Sequence, residues 1–423
     1  MLQQTVLVLL AAVLSILAIY ATHIWVTTLY AVRRKRPPSV EPPSAWPSVS
    51  VHIPVYNENS VVTRLLDSVL AFDYPSDRLE IVLVDDSDDG TTQILRKYEA
   101  KHPGLLRIIH REHREGFKAG ALQTALAGTR SELIAVFDAD HVPSRDFLRR
   151  MVPYLASDKR VAFVQARPSY LPGEPSWIAG AVSMGTDVYA LVELEARFSA
   201  GLLPHFSGSG AVLRRAAVVD VGGWESDTLA EDLDLSIRLR LKGWQHVYDD
   251  SLQCPGEIPT SLQVLRLQQS RWASGIAECL RKHFARLVRA EQLSLWRKIE
   301  ALIYLTRYVA SPLTAVAVAL GVLFCLVFPL DFVLLGFQTN AIAAFTALML
   351  LLNCSAPLAS FTVAVVRSTS SRTERARRLI DLISLGVLTL MIFMTSARAT
   401  LDGFLDRATQ FYKTPRRGDT SIR

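Results

Sequence analysis

Six short polar motifs hold most of the residues in this chain whose types and spacing could do chemistry. The first, His52-Ile53-Pro54-Val55-Tyr56-Asn57-Glu58, follows an apolar run; Pro54 would stop a strand and leave Tyr56, Asn57 and Glu58 beyond its end. Alone it reads as a polar turn. The second, Asp85-Asp86-Ser87-Asp88-Asp89-Gly90-Thr91, sets four carboxylates within five residues. Calcium loops space their acids differently and add a later bidentate Glu. Asp85 and Asp86, at a strand end, suit hydrogen bonds to a nucleobase or ribose, while Asp88 to Thr91 suit a helix N-terminus, where acids favour the dipole.

In the third motif, Arg114-Glu115-Gly116-Phe117-Lys118-Ala119-Gly120, a lysine opens a helical pattern, against the dipole preference. A diphosphate bound at that helix end would resolve the conflict; a solvated lysine is the plain alternative. The fourth, Asp138-Ala139-Asp140-His141, places two acids at i and i+2 after an apolar strand. Magnesium-type ions take one or two carboxylates plus substrate phosphates, so this pair suits a divalent cation. The fifth, Glu231-Asp232-Leu233-Asp234, could cap a helix or supply a general base near an acceptor. In the sixth, Gln268-Gln269-Ser270-Arg271-Trp272, Gln268, Arg271 and Trp272 share one helix side. Arg271 can grip phosphate oxygens and Trp272 offers a flat face to a sugar ring, although an interfacial Trp anchor would look the same.

The elements that must position these motifs are legible between Ser48 and Ile258. Apolar, β-branched runs predict buried strands over Ser48–Pro54, Leu79–Val84, Leu106–His110, Leu133–Phe137 and Val161–Ala166. Helical periodicity predicts helices over Val62–Leu70, Thr91–Lys101, Lys118–Leu126 and Arg145–Leu155. That alternation predicts an α/β domain, a mostly parallel sheet with helices on both faces. Ligands sit at the carboxyl ends of such strands, which is where the motifs fall.

The flanks are apolar. Val6 to Val32 carries no charge and ends at Arg33-Arg34-Lys35-Arg36; it is too long for a signal peptide and long enough to span a membrane. The basic cluster predicts that its C-terminal end is cytosolic. Residues 37–47 are a Pro-rich linker, 48–292 the catalytic domain and 293–310 an amphipathic helix on the membrane surface. Ser311–Leu335 and Ala341–Val366 are long enough to span, and residues 401–423 form a tail. Leu379–Ala397 contains Asp381, so a spanning helix and a re-entrant or interfacial one are both open. The net charge of +6 tracks these flanks, which predicts membrane lipid contacts and no nucleic-acid partner. Four cysteines without a CxxC pair predict neither disulfides nor zinc.

Together the motifs resemble family 2 glycosyltransferases of the cellulose, hyaluronan and mannan synthase type, in the order DD, KAG, DxD, ED, QxxRW across Val51 to Trp272. The resemblance implies a GT-A type nucleotide-sugar-binding fold and a multi-pass membrane protein with its catalytic domain in the cytosol. It implies a donor set of Pro54, Tyr56, Glu58, Asp85, Asp86, Lys118, Asp138, Gln268 and Arg271, with Mg2+ or Mn2+ on Asp138 and Asp140. Asp232 takes the place of the general base, and Glu231, Trp272, Phe206 and Gly208 that of the acceptor side. Lys413-Thr414-Pro415 resembles a C-terminal element of the mannan-synthase-like branch. The implied reaction is inverting transfer of a hexose from a UDP-glucose or GDP-mannose type donor to a β-linked polysaccharide, the alternative acceptor being a polyprenyl phosphate, ceramide or diacylglycerol lipid. Two departures stand out: Ala230 where the family usually has Thr, and a membrane part too small to enclose a polymer unless the chain forms a homo-oligomer. A transporter or membrane scaffold is disfavoured, since the spans lack clustered charges lining a pathway.

Overall fold

The computed structural model describes residues 2–173, 176–328, 341–369 and 371–407. Seven strands form one sheet: β1 (Val49–Val55), β2 (Leu79–Asp85), β3 (Leu106–His110), β4 (Leu133–Val136), β5 (Val161–Tyr170), β6 (Ala211–Arg214) and β7 (Gln245–Gly256). Their order is β3-β2-β1-β4-β6-β5-β7, with β6 antiparallel to both neighbours and every other pairing parallel. Helices cover both faces, so the strands are apolar on both sides: Val51, Ile53, Leu83 and Ala135 face one core, Ile134, Val136 and Leu213 the other.

The helices are α1 (Leu2–Val32), α2 (Val62–Leu70), α3 (Thr91–Lys101), α4 (Phe117–Gly128), α5 (Phe147–Ser157), α6 (Trp177–Val188), α7 (Glu195–Ser199), α8 (Arg215–Asp220), α9 (Glu231–Leu241), α10 (Leu262–Arg289), α11 (Leu295–Leu305), α12 (Ala310–Val327), α13 (Ala341–Ser368) and α14 (Arg372–Phe404). A π-helical turn, Tyr189–Leu194, joins α6 to α7. The five expected strands and four expected helices all form, with ends moved by at most two residues except in β5, which runs four residues past Ala166 to Tyr170.

Two details differ from expectation. Pro54 lies inside β1 rather than stopping it, paired in register with Val84. Its missing N–H is tolerated because β4 pairs with β1 only as far as His52, whose carbonyl takes the Phe137 amide; Pro54, of the same parity, faces the side β4 has left. Helix α9 is buried nearly all round rather than on one face: Leu235 and Leu239 join the core under the sheet, Leu233 and Ile237 a second core against α10 and α11.

Among the described residues, four helical stretches are long and apolar enough to cross a membrane: Leu2–Val32, Arg307–Leu326, Ala341–Ser368 and Arg372–Phe404. The first three pack together through Val6, Leu10, Leu14, Phe324 and Ala343, and Asn353 Nδ2 donates to the Leu14 carbonyl at 3.0 Å. Their basic ends are clamped to the sheet domain. Arg34, after α1, and Arg367, at the end of α13, both bind Asp250 of β7, at 2.6 and 2.7 Å. Arg378 of α14 binds Asp187 of α6 at 2.7 Å. The C-terminal Lys413-Thr414-Pro415 lies outside the described residues.

Candidate active site

The parallel strands end in a row of loops, and the first two loops are bolted together. Asn57, in the left-handed region at φ 54°, donates from its backbone to Ser87 Oγ at 2.9 Å and from Nδ2 to Asp88 at 2.7 Å. Asp85 is fully buried and accepts from the Ser87 amide, Thr92 Oγ1 and His110, at 3.1, 2.7 and 3.0 Å. It shapes the turn. Asp86 receives a two-pronged Arg111 contact at 2.7 and 2.6 Å. Arg114 lies 3.5 Å over the Tyr56 ring. Of the later acids, Asp89 caps α3 through the Thr91 amide at 2.8 Å, as expected, while Asp88 serves Asn57 instead.

At the end of β4, Asp138, Asp140 and His141 bring donor atoms within 4.8 Å of one another. The Asp138 amide donates to Ser209 Oγ and Asp140 Oδ2 accepts from the Glu257 amide, each at 3.0 Å. Two carboxylates and an imidazole form an oxygen-rich set that suits Mn2+ or Mg2+, and Asp138 is partly open to solvent.

Beside them Lys118 reaches three oxygens: Asp138 Oδ1 at 2.8 Å, the Gly208 carbonyl at 3.0 Å and Glu231 Oε1 at 3.3 Å. The lysine at a helix start is therefore balanced by carboxylates. Burial alone would lower its pKa, but Asp138, Glu231 and Asp232 outweigh burial and hold it above the ordinary lysine value. Asp232 has the opposite fate. Burial, then the neighbouring Glu231 charge, push it up to about 7, against the pull of Lys118 and Arg271. Gly208 keeps this cluster tight at φ 77°, since a Cβ there would lie 2.8 Å from Asp232 Oδ2 and 3.1 Å from Lys118 Nζ.

On the far side of α9, Asp234 is fully buried between two cations and an imidazole: Arg238, Lys282 and His283 lie 2.7, 2.8 and 2.7 Å from its oxygens. Burial raises its pKa, but these partners win and hold it well below the usual carboxylate range. Asp234 ties α9 to α10. Gln268, Arg271 and Trp272 all lie on α10, within one turn, and the Arg271 charge is felt at Asp232. Trp272 is 44% exposed.

The structure thus gathers Lys118, Asp138, Asp140, Gly208, Glu231, Asp232 and Arg271 at one end of the sheet. It removes Phe206 from the acceptor side: that ring is fully buried against Phe163 and Trp224, so it supports the loop from below. Pro54, held inside β1, supports the Tyr56 loop in the same indirect way. Sequence reasoning missed Arg111, Arg114 and His141 as site residues. A signal existed for all three: two arginines follow the third strand, and the histidine adjoins the paired acids.

This fold and site define a GT-A type glycosyltransferase. Residues 50–222 match the model of glycosyl transferase family 2, and the chain carries a domain of that family. Glucomannan 4-beta-mannosyltransferase 1 of Oryza sativa subsp. japonica is 34% identical over 295 residues, which are 68% of this chain and 56% of the relative. Glucomannan 4-beta-mannosyltransferase 2 of Arabidopsis thaliana is 35% identical over 263 residues, 60% of this chain and 49% of the relative. The chain spans about half the length of the curated relatives it matches. A mannosyltransferase from Pyrobaculum calidifontis, solved in complex with GDP-Man and Mn2+, superposes with a TM-score of 0.62 at 25% identity, covering 94% of this chain and all of the other.

Proposed function

We propose that this chain is a membrane-anchored inverting mannosyltransferase that moves mannose from GDP-mannose to a β-linked glycan acceptor. One observation carries the reading: at one strand end Lys118 bridges Asp138 and Glu231, at 2.8 and 3.3 Å, and the half-buried Asp232 carboxylate stands beside it, raised above the usual carboxylate range by desolvation and by Glu231. A base and a leaving-group site are thus adjacent. The glucomannan mannosyltransferase relatives and the GDP-Man bound by the Pyrobaculum calidifontis enzyme support mannose as the sugar and GDP as the nucleotide.

The acceptor hydroxyl attacks the anomeric carbon as the bond to the donor diphosphate breaks on the opposite side, and its proton passes to Asp232. A general base works best with a pKa near the operating pH. Tyr56, Asp86, Arg111 and Arg114 form the wall for the nucleoside, with Asp85 and Glu58 holding the loops. Lys118 and Arg271 stabilise the departing diphosphate, with Gln268 beside them. Asp138 and Asp140, with His141, would hold a divalent ion, which neutralises diphosphate charge when bound. Glu231 and Trp272 border the acceptor, the exposed indole offering a sugar platform. The basic ends Arg34, Arg367 and Arg378 support a cytosolic position for the domain, where the nucleotide sugar is available.

Purified protein in lipid nanodiscs, supplied with labelled GDP-mannose or UDP-glucose, tests this. Label from GDP-mannose should enter a product cut by β-mannanase; label only from UDP-glucose refutes the donor. The alternative is a single transfer to a lipid acceptor, which the relatives do not favour. Label that partitions into chloroform–methanol and resists β-mannanase would establish it.

A further inference from the structure

The last long helix, α14, has the length and composition of a membrane span, yet both of its ends rest on the sheet domain. Near its start, Arg378 binds Asp187 and the Ser183 hydroxyl of α6. Midway, Leu388 packs between Ala181 and Leu265, and the Met391 carbonyl accepts from Arg266 of α10 at 3.1 Å. Near its end, Gly403 abuts the Ser274 carbonyl so closely that a Cβ would lie 2.6 Å from it, and just past it Asp406 pairs with Arg281 at 2.6 Å. Arg378 and Phe404 are 26 residues apart, about 39 Å of helix. A helix set across the bilayer would put those ends on opposite sides of a core roughly 30 Å thick. It would also drag α10, with Arg266, Arg271, Glu278 and Arg281 along the same stretch, into hydrocarbon.

The face of α14 turned away from α10 is apolar. Ile380, Ile383, Val387, Leu390 and Met394 are exposed and follow a three–four spacing, one stripe along the helix that the exposed Arg398 interrupts before Leu401. Arg372, Arg375 and Arg377 are exposed at its start, four to nine residues beyond the end of the α13 span.

We propose that α14 does not span but lies in the plane of the cytosolic leaflet, its apolar stripe in the acyl boundary and its basic start on anionic headgroups. The membrane is the occupant because α14 begins four residues after the α13 span ends, and its start carries the charge that anionic lipid attracts. Three spans then remain: α1, α12 and α13. The spacing would also suit a second copy of the chain, which the experiment separates.

The test uses full-length protein in sealed vesicles, with Cys325 and Cys354 replaced and single cysteines at Thr373→Cys and Leu405→Cys, both exposed positions. A membrane-impermeant thiol reagent should reach both from the side of the sheet domain. Nitroxide labels at Ile383→Cys, Leu390→Cys and Met394→Cys should report one shallow depth. Labelling of Leu405→Cys only from the opposite side, or a depth that climbs steadily along the helix, overturns the proposal. So does spin–spin broadening between labels of two copies with no contact to lipid-dissolved oxygen.

Discussion

The two sides of α9 hold carboxylates two residues apart in opposite states. Toward the cleft, Asp232 is raised to about 7 by burial and by Glu231. Toward α10, Asp234 is more fully enclosed, yet Arg238, Lys282 and His283 keep it ionised to low pH. Burial is common to both, so the supply of cations decides. Lys118 is the nearest cation to Asp232, but it is shared with Asp138, Glu231 and the Gly208 carbonyl. One side of the helix is built to hold a charge and the other to exchange a proton.

The largest effect that would break this comparison is at Asp232. Asp232→Asn should cut turnover on the order of a hundredfold to ten-thousandfold while GDP affinity holds. Turnover within a few-fold of the parent would move the base to Glu231, because Asp234, saturated with cations, is no longer a candidate. At Asp234 the loss should be in stability. Asp234→Asn leaves Arg238 and Lys282 without their buried counter-charge, at a cost of about 3–5 kcal/mol, read as a fall in melting temperature. Turnover per folded molecule should stay near the parent's. If instead melting is unchanged and turnover collapses, the roles of the two sides are reversed.

Chelation tests the neighbouring site. EDTA should abolish turnover, Mn2+ or Mg2+ should restore it, and Asp140→Ala should weaken restoration. Activity untouched by chelator removes the metal from Asp138 and Asp140.

The pH dependence sharpens the same contrast. A base raised to about 7 must lose its proton to work, so the rate should climb as pH passes through about 7. Lys118 lowers that value, so Lys118→Met should move the rising limb to higher pH, costing roughly tenfold at neutral pH per unit moved. Stability runs the other way. The folded form of Asp232 binds its proton more tightly than the unfolded form, so its contribution is full below about pH 4 and lost as pH rises through about 7. Asp232→Asn should therefore be relatively more stable above neutral pH. Asp234, held low, contributes stability above the ordinary carboxylate range that is lost only in strong acid.

The smallest effect is at the helix start. Ala230 is the N-cap of α9 and offers no side-chain acceptor. Ala230→Ser should stabilise by about 1 kcal/mol and leave turnover within a few-fold. A large change in rate would mean that the cap also sets the position of Asp232.

Much of this was legible in the residues alone. The strands β1 to β5 are apolar runs because both sheet faces are covered, so β-branched continuity marks them without any partner in view. The acids at their ends stand out because parallel strands deliver their last residues to one edge. β6 was not legible, since Ala-Val-Leu-Arg is too short to show a period. β7 was hidden by Asp249 and Asp250, which sit at an irregularity where the chain is held by Arg367 and Arg34.

The sequence by itself determined the residue types, the order of the motifs and the presence of long apolar helices, because these depend on neighbours along the chain. Only the tertiary structure decided that desolvation and Glu231 raise Asp232 while buried cations hold Asp234 low, that Phe206 faces the core, and that both ends of α14 meet the sheet domain. Each of those rests on groups distant in sequence: the cations of α10, the rings of Phe163 and Trp224, and the anchors Asp187 and Arg281. Proton affinity and helix placement are set by what surrounds a residue in space, and chain order does not record that.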